Sequence, residues 1–212
     1  MKIEHTKITD RIHLLLFNTQ KDVTSTFLRF QEHYESPKFR GKIFSLEEFK
    51  RWYIKNSPSG KEKGKFTYYT DWNGFNIPSN MLRPFYEGKF YPLSEKERRL
   101  LELFKNEQEP YYIIGAHKAT RNLNELLQHE VAHGLFYTDK NYRCEILEVL
   151  KMFDVKRIKE ELRSTAGYHE QVLDDEVHAY SISSGKKLKT SIPSKLSSSL
   201  RKIHRTYIKK LA

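Results

Sequence analysis

His129, Glu130 and His133 fall within the pentapeptide His-Glu-Val-Ala-His, a pattern suited to holding an ion between two imidazoles with a carboxylate at hand. On a helix, residues i and i+4 share a face, so both rings can grip one ion. Glu130 is rotated enough from them to reach a metal-activated water, which makes it a candidate general base. The bland alternative is a solvated helix face on which two histidines fall four apart. Val131 and Ala132, uncharged and helix-compatible, weigh against it.

The residues must be positioned by a helix, and the surrounding pattern supplies one from about Thr120–Asn122 to Tyr137. Leu123, Leu127, Val131 and Gly134 form its core side; Leu126, His129, His133 and Tyr137 occupy a neighbouring face that can line a cleft. Tyr111–Gly115, rich in β-formers after Pro110, predicts a strand directly before it. Further helices are expected at Asn141–Phe153, Val155–Ser164 and Tyr168–Ile182. Upstream, Ile12–Phe17 reads as a buried strand and Asp22–Tyr34 as a helix. Ser45-Leu46-Glu47-Glu48 and Ser94-Glu95-Lys96-Glu97 are capping boxes that open two more helices, while Asn56–Gly64 reads as a loop. Phe66–Thr70 and Gly74–Ile77 flank Asp71-Trp72-Asn73 and predict a hairpin, with Tyr68, Tyr69, Trp72 and Phe75 as its packed aromatics or, alternatively, a substrate platform.

A catalytic zinc takes three protein ligands and leaves a position open, so a third ligand is needed. The stretch from Tyr111 to about Ser183 resembles the gluzincin branch of the zincin metallopeptidases. There, the HExxH helix packs on a second helix bearing a glutamate in an E-x-x-A or E-x-x-S motif. Here Glu176-Val177-His178-Ala179 matches it. The resemblance implies one catalytic zinc ion held by His129, His133 and Glu176, with Glu130 as general base in peptide-bond hydrolysis. It also implies a donor for the oxyanion, for which Tyr180, Tyr168 and His169 are the candidates. Gluzincins commonly carry a carboxylate four residues after the ligand glutamate; this chain has Tyr180 there. Asp139 is the rival third ligand, at a metzincin spacing. That pattern needs a glycine at 136 to turn the chain back, and Phe136 stands there. Zincins also use an edge strand beside the active-site helix to pair with extended peptide. Tyr111–Gly115 occupies the corresponding place, its alternative being a core strand.

The expected fold is therefore α+β and zincin-like: a small mixed sheet packed on the HExxH helix, with a helical C-terminal part. Residues 1–183 form one domain, of which 1–110 match no family and 111–183 carry the metal site. Residues 184–212 are a basic linker and amphipathic helix. In a chain of 212 residues with 13 Tyr, 13 Phe and 2 Trp, a packed core is expected and disorder is not. Lone Cys144 excludes an internal disulfide and a cysteine zinc site, and reads as a small buried hydrophobe. No apolar run is long enough for a signal sequence or membrane span, so a cytoplasmic location is expected.

The net charge is +11, and no acidic residue follows Glu176, so nine of the excess charges lie in residues 177–212. Leu196, Leu200, Ile203, Tyr207 and Leu211 form an apolar stripe among them from about Ser194. Docking of that stripe, with a solvated basic face, is the plain reading; weak contact with nucleic acid or an anionic surface is the other. The expected partner is a peptide or protein substrate. A different class of function is an interaction or nucleic-acid-associated module with a structural or inactive zinc.

Overall fold

Capping side chains mark where the helices begin. In the computed structural model, which describes residues 2–166, 170–183 and 188–211, the N-cap Thr19 accepts from Asp22 to open α1 (Gln20–Glu35), and Ser45 accepts from Glu48 to open α2 (Leu46–Asn56). Ser57 and Pro58 then start α3 (Pro58–Lys63), so a short helix occupies the stretch read as a loop. The single turn α4 (Tyr68–Asp71) and α5 (Arg83–Tyr86) precede α6 (Glu95–Phe104), whose Ser94 and Glu97 complete the reciprocal capping box. The later helices are α7 (Leu123–Thr138), α8 (Lys140–Lys151), α9 (Lys156–Glu161), α10 (Leu173–Ile182) and α11 (Ser194–Leu211). None of the described helices is long and apolar enough to cross a membrane.

The fold is α+β with a small mixed sheet in the order β1-β2-β4-β3, where β1 is Ile3–Thr9, β2 Ile12–Phe17, β3 Gly74–Pro78 and β4 Tyr112–His117. Two sequence expectations fail here. Phe66–Thr70 makes no hairpin with the segment after it: Tyr68–Asp71 is helical, and β3 instead pairs antiparallel with β4, Phe75 opposite Gly115 and Ile77 opposite Ile113. The cause is polar. Asp71 accepts from Tyr53, Ser59 and Thr67 hydroxyls at 2.6–2.7 Å, which holds the segment in a turn and away from a ladder. The second correction concerns β4, which is no edge: β2 and β3 flank it and all six of its residues are buried. It has no free edge for peptide, and the core-strand alternative is the correct one.

The chain divides into two compact units. The first, Met1–Thr6 with Leu14–Arg121, has an aromatic core. Helix α1 packs on β3 and β4, and Phe27 lies so close to Gly115 that an added Cβ would meet its ring at 2.6 Å. Tyr68 and Phe75 are buried in this core, while Trp72 is half exposed. Arg29 of α1 donates twice to Glu97 at 2.6 Å and also to the carbonyls of Phe90 and Pro92, so the carboxylate that caps α6 also ties it to α1. The second unit, Lys7–His13 with Asn122–Ala212, is helical apart from the β1–β2 turn. There α10 packs on α7, α8, α9 and α11, and α11 also packs on α8. Leu196, Leu200 and Tyr207 of the stripe are buried; Ile203 is only partly so, and the side chain of Leu211 lies outside the described residues. Cys144, expected inside, is exposed on α8.

One partly buried group, Glu32, gives the first unit a pH dependence. Burial pushes the Glu32 carboxyl up to about 7, against an ordinary 4.5, despite hydrogen bonds from Tyr68 and Ser36. The fold therefore keeps a proton that the unfolded chain releases, and stability falls as pH rises from about 4.5 through 7. Glu32→Gln removes this loss. We expect it to raise stability by up to about 3 kcal/mol at pH 8 and by nothing below pH 4.5, read from denaturant midpoints across pH.

Candidate metal centre

Helix α7 begins after Asn122, in a left-handed conformation that asparagine tolerates, and ends at the extended Asp139. Burial follows the motif: Glu130 through Leu135 are buried, whereas Leu123 and Leu127, expected in the core, are only partly covered. Helix α7 packs on α10, with the small residues Ala132 and Ala179 fully buried. Acidic residues Asp174, Asp175 and Glu176 occupy the first turn of α10, where the helix dipole favours their ionised form.

This packing brings together the three residues picked out as ligands. One ligand atom from each of His129, His133 and Glu176 lies within 4.8 Å of the others, so the trio could hold a metal ion. The two Nε2 atoms are 3.2 Å apart, with Glu176 carboxylate oxygens at 3.9 Å from His129 and 3.7 Å from His133. His133 and Glu176 are buried; His129 keeps more exposure, 17 % of its side chain against 6 % for each of the others. Glu130 is buried as well, at 7 % exposure. Asp139 is occupied elsewhere: it is the N-cap of α8, accepting from the Tyr142 backbone N–H at 2.9 Å. The ring of Tyr180 stands edge-on to His129, 4.8 Å between centroids. Tyr168 and His169 lie outside the described residues.

A carboxylate supporting a ligand histidine is present, but not at position 180. Asp175 accepts from His133 Nδ1 at 2.8 Å, leaving Nε2 to face Glu176 and His129. The signal was in the sequence, as the residue immediately before Glu176, although the usual four-residue spacing points elsewhere. Ser183, at the end of α10, was also missed: its Oγ lies 3.4 Å from His129 Nδ1.

The electrostatics suit a cation. Burial works against a charge on His133, yet the Asp175 carboxylate, with Glu176 and Glu130 behind it, holds the imidazole well above its ordinary value. His133 in turn keeps Asp175 below the usual carboxylate range against its burial. Two imidazoles and a carboxylate are a borderline-soft donor set with room for a divalent ion, and the surrounding negative charge favours one. No family model, curated protein or solved structure matches the chain, so the zincin resemblance rests on these residues alone.

Two outcomes are expected from direct metal titration. Glu176→Ala should abolish stoichiometric binding and Asp139→Ala should preserve it; the reverse pattern would reassign the third ligand. Binding must also displace the His133 proton. Affinity should therefore rise about tenfold per pH unit while pH stays below the raised His133 value, then level off.

Proposed function

We propose that the protein is a zinc-dependent peptidase, with the ion held by His129, His133 and Glu176. The observation that carries this reading is the convergence of those three donors, from helices 47 positions apart in Glu176 and His129 numbering, around a motif that also contains a buried carboxylate. Bound by these three residues, zinc would supply Lewis acidity toward a carbonyl and lower the pKa of a nearby water toward neutrality. Glu130 takes the water's proton and returns it to the departing amine. Negative charge develops on the former carbonyl oxygen and needs a donor, a role we assign to Tyr180 because its ring stands beside His129.

The test separates metal binding from catalysis. Glu130→Gln should retain zinc and lower cleavage of a peptide library by about 10²–10⁴-fold. Tyr180→Phe should retain zinc and lower kcat by about 10²-fold if its hydroxyl meets the oxyanion. Wild-type protein that binds zinc but cleaves no peptide would overturn the peptidase reading and leave a structural metal site.

A further inference from the structure

Among the buried polar groups of the second unit that the proposed chemistry does not use are His178 on α10, Tyr142 on α8 and His204 on α11. They form a continuous line. His178 Nδ1 lies 3.4 Å from Asp175 Oδ1, His178 Nε2 lies 2.7 Å from the Tyr142 hydroxyl, and that hydroxyl lies 3.0 Å from His204 Nδ1. From this geometry we infer that His204, Tyr142, His178 and Asp175 are positioning residues, a one-directional hydrogen-bond chain that fixes the His133 tautomer and turns its Nε2 toward the metal. This rests on the metal-site reading above.

The direction follows from counting protons. A carboxylate only accepts, so Asp175 receives an N–H from His133 Nδ1 and another from His178 Nδ1. His178, fully buried, gives its ring proton to Asp175 through Nδ1 and turns Nε2 to the Tyr142 hydroxyl, from which it accepts. Tyrosine has a single proton to give, so its oxygen accepts from His204 Nδ1–H. Burial supports the outer assignments: it holds His204 down at about 4 and raises the Tyr142 hydroxyl. Every proton along the line therefore points toward Asp175, which is held in place to accept the His133 Nδ1–H and leaves Nε2 as the ring nitrogen facing Glu176 and His129.

Helix α11 also secures the other histidine. Arg201 donates to the carbonyls of Ser181 at 3.0 Å and Ser183 at 2.8 Å, holding the end of α10. Ser183 Oγ donates to the Ala179 carbonyl at 3.0 Å, so it can only accept from His129 Nδ1–H. Both ligand rings are thus presented through Nε2 by groups anchored on the C-terminal helix, far outside the motif in sequence.

The experiment is zinc competition against a chromophoric chelator, using the full chain. Tyr142→Phe, which keeps the ring, and His204→Leu should each weaken zinc about tenfold, and the double variant should be little worse than either single one. His204→Asn, which places a donor near the lost Nδ1, should restore most of the affinity, a rescue that a purely packing role would not produce. In metal-free wild type, histidine ¹⁵N spectra should show His178 protonated at Nδ1 and bare at Nε2. Unchanged zinc affinity in both single variants, or a His178 proton on Nε2, overturns the inference. Wild type without stoichiometric zinc overturns the metal reading instead, and the His178 tautomer still decides the direction of the chain.

Discussion

His133 sits in the one interaction on which the second unit turns: a buried imidazole with a carboxylate on each side, Asp175 at Nδ1 and Glu176 near Nε2. Burying such groups without compensation costs several kcal/mol per charge, so negative groups gathered here demand a cation close by. A proton on His133 meets that demand in part, which is why its affinity for the proton is raised. A metal ion shared by the three donors would meet it more fully. The packing of α10 on α7 is what brings the opposing groups within reach, and the first turn of α10 is where a helix best tolerates adjacent acids.

Much of this site was legible before any coordinates, because its parts obey local rules. Two histidines at i and i+4 on a helical segment specify a shared face, and a glutamate followed three residues later by alanine specifies a helix that can come close. Asp175 was not legible as the supporting carboxylate. Neighbours on a helix point about 100° apart, so Asp175 and Glu176 serve one ring only because His133 presents two nitrogens on opposite sides, and no spacing rule encodes that. The line through His178, Tyr142 and His204 was still less accessible. It joins residues 36 and 62 positions apart, and nothing local in any of the three segments announces a partner.

The same division holds for the fold. Helix starts were readable where a serine or threonine side chain meets the backbone two or three residues on, as at Ser45 and Ser94. The helical turn at Asp71 was not, because the aromatic, β-branched residues around it satisfied strand propensity while the hydroxyls of Tyr53, Ser59 and Thr67 captured the aspartate. Strand β3 then found its partner in β4, about forty residues onward, and by doing so covered the edge on which peptide was expected to lie.

Helix α11 shows how one segment can serve two physical ends. Lys202, Arg205, Lys209 and Lys210 are exposed, while Leu196, Leu200, His204 and Tyr207 are buried. The apolar stripe read from the sequence passed over His204 because a histidine in a cationic segment looks like one more charge. Burial makes it the opposite, a neutral ring whose value of about 4 keeps it uncharged on the packed face. Docking engages Arg201, which donates to the Ser181 and Ser183 carbonyls, and leaves those four cations outside. One face of the helix thus carries exposed cations, while the other presents His204 to Tyr142 and Arg201 to the end of α10.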